Sequence, residues 1–233
     1  MPPILLQARQ LFCEREERVL FARLDFALHA GELLQIEGPN GAGKTTLMRS
    51  VSGLNQHFEG EVLWRGQPVA EDRSAFYGET LILGHLSGIK MPLSPTENLR
   101  WISAARGIAL TDLDDRIATS LDAVGLGGFE HQPAHSLSAG QKRRIALARL
   151  FLEPATLWVL DEPFSAIDKQ GVSVLESLLE DHVSRGGAAL VVTHHDMQLK
   201  NVCHRRLQLG QGKRGEWRIL DEAGSDWRQE SPA

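Results

Sequence analysis

The residues with the clearest chemical potential form a glycine-rich run that ends in a lysine and two threonines. The run reads Gly38-Pro39-Asn40-Gly41-Ala42-Gly43-Lys44-Thr45-Thr46. Glycines let successive backbone N–H groups converge on phosphate oxygens, and the lysine places a positive charge on the β- and γ-phosphates of a nucleotide. The hydroxyl of Thr45 suits Mg²⁺. We therefore predict a phosphate loop at 38–46, with a glycine turn that binds no ligand as the alternative.

A pair of acidic residues is the second candidate group. Asp161 and Glu162 directly follow the apolar run 157–160, which is typical of a parallel strand buried on both faces. Ligands gather at the carboxyl ends of such strands. We assign Asp161 to the metal, directly or through water, and Glu162 to the orientation or deprotonation of an attacking water. The alternative is a pair of solvated loop acids.

These groups need strands and helices to position them, and the pattern along the chain predicts α/β architecture. Apolar runs indicate strands at 33–37, 157–160 and 188–193, and helical patterns indicate helices at 44–54, 142–151 and 168–185. Segments 21–28 and 61–64 favour an N-terminal antiparallel sheet, and 92–129 favours short helices. We expect a nucleotide-binding domain over 1–209, with a helical subdomain at about 90–150, and a short polar tail over 210–233.

Composition limits the class of protein. The chain has 233 residues, 42% of them hydrophobic, and a formal charge of −5, which fits one sizeable core and argues against a nucleic-acid partner. Cys13 and Cys203 lie far apart without a CxxC spacing, which favours a reducing cytoplasm over a disulfide framework or zinc site. No apolar run approaches the ~20 residues that cross a bilayer, so we expect any membrane association to be peripheral.

A serine–glycine pentapeptide completes the pattern. Leu137-Ser138-Ala139-Gly140-Gln141 alone predicts only a turn that caps the following helix. The order of phosphate loop, pentapeptide and acidic pair, however, resembles that of the ABC ATPases, and the resemblance covers about residues 5–209. It implies the ABC ATPase (P-loop NTPase) fold: a mostly parallel sheet core, an N-terminal antiparallel β subdomain and an inserted helical subdomain.

The same resemblance implies ligands, partners and further site residues. ATP and Mg²⁺ are bound in a head-to-tail dimer, in which Ser138, Gly140 and Gln141 act on the nucleotide held by the partner subunit. Segment 164–168 resembles the loop at the dimer seam. His194 resembles the switch histidine that contacts the γ-phosphate, and His195 is an adjacent competitor. The alternative for either histidine is a polar residue at a strand end.

Two positions depart from the family pattern. Leu86 stands where the family has a glutamine that contacts Mg²⁺ and the membrane subunits, and leucine can neither bind a metal nor donate a hydrogen bond. Either His85 or water substitutes, or turnover is weakened. The aromatic residue that stacks on adenine is also missing, which leaves the guanidinium of Arg15 or the ring of Phe12 as candidates.

Four segments carry a narrower resemblance, to the ATP-binding subunits of the bacterial cytochrome c maturation system, often described as haem exporters. They are CEREER at 13–18, GHLSGIK at 84–90, LSAGQ at 137–141 and DEPFSAID at 161–168. The resemblance implies peripheral attachment to a membrane-spanning ABC permease at the cytoplasmic face of the inner membrane, with haem-handling membrane proteins as further partners. The alternatives are a soluble ABC ATPase that is not linked to transport and a slowly hydrolysing regulatory module.

Overall fold

The computed structural model describes residues 2–84, 88–108, 111–200, 202–210 and 215–221. In chain order the elements are β1 (Ile4–Arg15), β2 (Arg18–His29), β3 (Glu32–Glu37), α1 (Lys44–Val51), β4 (Glu59–Trp64), β5 (Gln67–Pro68), α2 (Arg73–Gly78), β6 (Thr80–Leu83), α3 (Pro95–Ala105), α4 (Leu113–Ala123), a 3₁₀ turn (Ala134–Ser136), α5 (Ala139–Leu152), β7 (Leu157–Asp161), α6 (Lys169–Ser184), β8 (Ala188–Val192), β9 (Cys203–Leu209) and β10 (Trp217–Leu220). None of the helices in these ranges has the length and apolar character needed to cross a bilayer.

Four strands from the first part of the chain form an antiparallel sheet, in the order β2-β1-β4-β5. β1 and β2 are joined by a tight hairpin in which Arg15 pairs with Arg18. Glu16 and Glu17 occupy the turn with φ of 51° and 61°. A two-residue turn whose twist matches that of the flanking strands requires positive φ at both residues. The tip of this hairpin reaches the phosphate loop, as described below.

The second sheet has six strands in the order β10-β9-β3-β8-β7-β6, and all neighbours are parallel except β10 and β9. Every residue of β7 and β8 is buried, which explains their continuous apolar sequences. Parallel strands end at the same edge. The ends of β3, β7 and β8 therefore bring the phosphate loop, the acidic pair and the histidines together.

Two apolar clusters cover the two faces of the parallel sheet. Leu34 and Ile36 pack with the antiparallel sheet and α1, whereas Leu33 packs with residues of α5 and α6. Alternate residues of β3 thus face opposite layers, as expected for a strand buried on both sides. The sheet edge that carries the candidate site is fixed from both faces by these layers.

The helices begin where capping chemistry predicts. α3 and α5 each start with a capping box, formed by Ser94 with Glu97 and by Ser138 with Gln141. Asp168 caps α6 by accepting a hydrogen bond from Gly171 N at 2.9 Å. α3, α4 and α5 contact one another and form the helical region that the sequence led us to expect at about 90–150.

The far end of the chain differs from the sequence expectation. We expected a short polar tail over 210–233, either a frayed edge or a loose terminus, whereas Trp217–Leu220 pair with β9 as a regular edge strand. Trp217 Nε1 donates to Ala22 O at 3.1 Å, which attaches this strand to β2. The short apolar sequence WRIL was overlooked because glycines and charged residues surround it. β1, β6 and β9 also form strands that the sequence reading did not assign.

Candidate nucleotide-binding site

The loop between β3 and α1 has the backbone that phosphate binding needs. Gly38 and Gly43 adopt φ of 145° and 96°, conformations that favour glycine. An added Cβ would lie 2.6 Å from Leu209 O at Gly38 and 3.0 Å from Leu20 Cβ at Gly43. Side chains are therefore excluded at both positions, and Gly43 passes directly into the first turn of α1. Backbone N–H groups at a helix start form a favourable anion site.

Lys44 lies inside the curve of this loop. Its Nζ donates to Gly38 O at 2.6 Å and to Pro39 O at 3.2 Å, and the residue is 9% exposed. Burial lowers the pKa of the Lys44 ammonium, while the nearby carboxylates of Glu162 and Asp161 act in the opposite direction. A buried cation held by carbonyl oxygens is suited to receive phosphate oxygens.

Thr45 and Asp161 approach each other across the sheet edge. Thr45 Oγ1 lies 3.5 Å from Asp161 Oδ2, and Asp161 is only 3% exposed. A hydroxyl and a carboxylate are oxygen donors of the kind that Mg²⁺ prefers when phosphate oxygens and waters complete its octahedron. The described residues hold no group of three or more His, Cys, Asp or Glu arranged for a metal. The Thr45–Asp161 pair fits a metal that arrives with a nucleotide, because two oxygen donors leave positions for phosphate oxygens and waters.

The two histidines after β8 have different surroundings. His194 Nε2 lies 3.9 Å from Glu162 Oε1, and the His194 side chain is 57% exposed. His195 turns away, since its Nε2 lies 3.2 Å from Glu176 Oε1 on α6 and its ring centroid lies 4.5 Å from that of Phe164. The geometry thus places His194 beside the acidic pair and gives His195 packing contacts.

A cavity of about 520 Å³ joins these groups to the β1–β2 hairpin. It is lined by Arg15, Glu16, Arg18, Leu20, Asn40, Gly41, Gly43, Lys44, Thr45, Thr46, Asp161, Glu162 and Val192. Of the two candidates for base stacking, Arg15 contributes to this lining and Phe12 does not. Arg18, for which the sequence analysis predicts no role, also lies over the phosphate loop. Its Nη1 would be 3.6 Å from a Cβ added to Gly41.

The pentapeptide residues lie apart from this cavity. Ser138 starts α5, and its Oγ accepts from Gln141 N at 3.2 Å. Gly140 is packed tightly, because an added Cβ would lie 2.6 Å from Ala166 O. Ser138, Gly140 and Gln141 do not line the cavity that contains Lys44. In a single chain the phosphate loop and the pentapeptide therefore belong to different surfaces.

The structure bears differently on three further residues. Leu86 and His85, which the sequence analysis raised as a departure, lie outside the described residues. Arg143 has no role in the sequence analysis, yet it is buried and its guanidinium donates hydrogen bonds to carbonyls at the ends of β6 and β7. Its signal in the sequence is its place on the apolar face of α5, where Ala146, Leu147 and Leu150 are buried with it.

Comparison with known proteins defines the class. The model of the ABC transporter family matches residues 21–165, a range that contains the phosphate loop, the pentapeptide and the acidic pair. The chain belongs to the ABC transporter family, as one of its ATP-hydrolysing subunits. The fold agrees with a solved ATP-binding subunit of an ABC transporter, at a TM-score of 0.78 and 22% identity over 88% of this chain and 85% of that one.

More particular relatives share about half of the sequence. The chain is 48% identical over 207 residues to the cytochrome c biogenesis ATP-binding export protein CcmA of Hahella chejuensis, which covers 88% of this chain and 96% of that protein. The protein of the same name from Pseudomonas putida is 50% identical over 88% of this chain and 97% of its own length. The protein of the same name from Vibrio cholerae is 47% identical over 90% of this chain and 100% of its own length.

Proposed function

We propose that the chain hydrolyses ATP to drive an export step in cytochrome c biogenesis, with haem as the cargo or as the group carried by a remodelled complex. The observation that carries the ATPase proposal is the convergence of Lys44, the Thr45–Asp161 pair and Glu162 on one cavity. The cytochrome c assignment is supported by relatives of about half-identical sequence that bear this name.

Nucleotide binding is assigned to the phosphate loop. The backbone N–H groups of the loop and the ammonium of Lys44 hold the β- and γ-phosphates, so that residues 38–46 together form the phosphate-binding segment. Thr45 and Asp161 hold Mg²⁺, directly or through water. When bound, Mg²⁺ neutralises charge on the phosphate oxygens. The guanidinium of Arg15 is placed to stack on the base from the hairpin tip.

Hydrolysis is assigned to Glu162, with His194 beside it. Glu162 lies at the end of β7, next to the residues that hold the phosphates, and its side chain is 28% exposed within the cavity. A carboxylate in this position can orient a water molecule and accept its proton as the water attacks the γ-phosphate. His194 can donate a hydrogen bond to the γ-phosphate, where negative charge remains during transfer.

Assembly into a dimer and onto a membrane permease completes the proposal. Ser138, Gly140 and Gln141 lie outside the cavity of their own chain, which is the arrangement expected if they complete the site of a second copy. The chain then works at the cytoplasmic face of the inner membrane, attached to membrane-spanning subunits that contain the export path. Haem-handling membrane proteins are further partners in this proposal.

The substitution Glu162→Gln tests the ATPase assignment. It keeps the size and hydrogen bonding of the side chain but removes the proton acceptor, so we expect turnover to fall by about a hundredfold or more. ATP affinity should stay near that of the parent because the phosphate loop is unchanged. Steady-state phosphate release and binding of a fluorescent ATP analogue measure the two quantities separately.

A matched control is Glu71→Gln, which changes the same group at an exposed position away from the cavity. It should hydrolyse ATP at the parental rate. Parental turnover in Glu162→Gln would remove Glu162 from the mechanism. A parent that binds ATP but hydrolyses it no faster than Glu162→Gln would instead favour the regulatory module over the ATPase.

A further inference from the structure

Arg143 on α5 is a buried arginine that binds the backbone of the catalytic strand end. It is 6% exposed, and its Nη2 donates to Asp161 O at 2.7 Å and to Glu162 O at 3.1 Å. Its Nη1 donates to Gly84 O at 3.0 Å, just beyond the end of β6. One guanidinium therefore holds three carbonyl oxygens from two neighbouring strands, and two of these carbonyls belong to consecutive residues.

The backbone of Glu162 needs such support. Glu162 has φ of 49°, a left-handed conformation that is unfavourable for a residue with a side chain. Strained positions of this kind persist only where surrounding contacts fix them. Glu162 N donates to Val192 O at 2.8 Å, and Glu162 O accepts from Arg143 and from Ser165 Oγ at 2.8 Å. The direction of the Glu162 side chain follows from this set of bonds.

Stability alone gives a weak reason for an arginine here. Burial lowers the pKa of the Arg143 guanidinium, and the carboxylates of Asp161 and Glu162 act in the opposite direction. Arg143 Nε has no hydrogen-bond partner among the described residues, so the burial of this cation is incompletely compensated. Buried ionic groups are commonly replaceable by apolar residues without loss of stability. A buried arginine at such a site is better explained by what it positions.

We propose that Arg143 is a positioning residue for ATP hydrolysis, which holds Glu162 in its left-handed backbone conformation by binding the carbonyls of Asp161 and Glu162 and joins them to the end of β6. This inference rests on the proposed role of Glu162. Arg143 acts through the backbone, and it is not among the residues that line the cavity containing Lys44. Its loss leaves the phosphate loop intact but misdirects the carboxylate that handles water.

The test compares Arg143→Gln and Arg143→Lys in the full chain, purified by an affinity tag from its own membranes so that partner subunits remain bound. We expect Arg143→Gln to lower kcat by about tenfold to a hundredfold, because small misplacements of a reacting group have effects of this size. KM for ATP should remain within about twofold of the parent, since binding contacts are retained. Arg143→Lys keeps the charge and some of the bonds, so it should fall between Gln and the parent.

Arg106 supplies a matched control at the other end of β6. It follows α3, and it donates from Nη1 to Tyr77 O at 2.8 Å and from Nη2 to Thr80 O at 3.0 Å. It is thus also an arginine from the helical region that binds backbone carbonyls, one in α2 and one at the start of β6, on the side remote from the nucleotide cavity, and it also forms an ion pair with Glu153. Arg106→Gln should lower Tm by an amount comparable to Arg143→Gln and leave kcat unchanged.

The outcomes separate the inference from the proposed function. Parental kcat in Arg143→Gln, or equal losses of kcat in the Arg143 and Arg106 variants, overturns the positioning role while Glu162 keeps its own. Parental turnover in Glu162→Gln removes Glu162 from the mechanism, and the inference with it, whereas a parent that hydrolyses ATP no faster than Glu162→Gln overturns the proposed function itself. If Arg143→Gln does not fold, Arg143→Lys decides: a reduced kcat at unchanged KM supports the role, and a parental kcat overturns it.

Discussion

Adjacent histidines after β8 differ in their access to the phosphate end of the cavity. His194 Nε2 lies 3.9 Å from Glu162 Oε1, whereas His195 is bound to Glu176 and packs on Phe164. We therefore predict that His194→Ala lowers kcat by about a hundredfold, the usual effect of losing one hydrogen-bond donor to a reacting oxygen. His195→Ala should lower Tm and retain most of the activity. Phosphate release and thermal unfolding of both variants decide between them, and the reverse pattern would exchange the two assignments.

Gly140 is constrained by a neighbouring loop as well as by any partner. A Cβ at this position would lie 2.6 Å from Ala166 O, closer than real contacts allow. We predict that Gly140→Ala displaces the start of α5 or the loop 164–168, so that ATP-dependent dimerisation is lost while ATP binding to the monomer persists. Size-exclusion chromatography with and without ATP, on a Glu162→Gln background, measures this.

The control for Gly140→Ala is Gly78→Ala, at the end of α2. A Cβ at Gly78 meets nothing within 4 Å, and its φ lies outside the range that penalises side chains. This variant should form dimers as the parent does. An ATP-dependent dimer of Gly140→Ala at parental strength would mean that the contact with Ala166 relaxes at little cost.

At the scale of elements, the sequence predicted those whose patterns are local. β7 and β8 are apolar along almost their whole length, and β3 is apolar at Leu33, Leu34 and Ile36. These three strands of the central sheet, and the phosphate loop and acidic pair that follow two of them, could therefore be predicted from the sequence. The sequence does not predict β9 because Arg205 interrupts its apolar positions, and this buried charge is compensated by an ion pair with Glu32 on β3 and a hydrogen bond to Ala27 O. Such partners are distant in sequence and leave no local pattern.

The contacts of Arg143 were hidden for the same reason. Its acceptors are the carbonyl oxygens of Gly84 and Asp161, which lie at strand ends 59 and 18 residues away in the sequence. Every residue has such a carbonyl, so the residue types give no signal. A hydrophobic pattern can place an arginine on a buried helix face, but only the packing of α5 on the sheet identifies which oxygens it meets. The roles of individual site residues therefore depend on tertiary contacts that spacing does not contain.

The packing of α6 on the sheet includes a stacked pair with a pH dependence. The rings of His182 and Trp158 are 3.9 Å apart at an interplanar angle of 4°, and His182 Nε2 lies 3.2 Å from Ala188 O. Burial lowers the pKa of His182 below its ordinary value of 6.5, although hydrogen bonds to Ala188 and Thr156 oppose the shift. In the folded chain the neutral ring is therefore favoured.

The sign of the effect follows from proton binding. As pH falls through 6.5, the unfolded chain takes up a proton at His182 that the folded chain does not, so stability is lost with decreasing pH until the folded group also titrates. We predict that this residue destabilises the folded chain as the pH falls from 7.5 to 5.5. In urea unfolding, the free energy of unfolding should therefore fall less over this range in His182→Gln, which does not titrate, than in the parent. Equal pH dependence in both would place the titration elsewhere.

At the scale of the whole molecule, the proposed dimer makes a prediction about composite sites. Lys44→Ala damages the phosphate loop, and Ser138→Arg damages the pentapeptide. In either homodimer both sites are broken, because each site needs one intact copy of each. In a mixed dimer the two lesions fall in one site, and the other site is intact. On a Glu162→Gln background we predict about one trapped ATP per mixed dimer, because only one composite site is intact and each site holds one nucleotide.

Two different affinity tags isolate the mixed dimer, and trapped nucleotide is counted after rapid removal of free ATP. Each homodimer should retain almost none. Mixed dimers that trap no more ATP than the homodimers would mean that Ser138 does not act across an interface, and the sandwich arrangement would not apply to this chain.

The pairing of β3 also governs the order in which the site is completed as the ribosome makes the chain. β3 spans residues 32–37, yet its described neighbours β8 and β9 begin at Ala188 and Cys203. Once the ribosome has added Trp64, strands β1, β2 and β4 are complete. The antiparallel sheet can therefore pair while β3 still lacks both neighbours. Long-range parallel pairing of this kind forms late. A nascent polypeptide stopped before β8 thus contains the phosphate loop, the pentapeptide and the acidic pair, but it lacks the strand that completes the cavity around them.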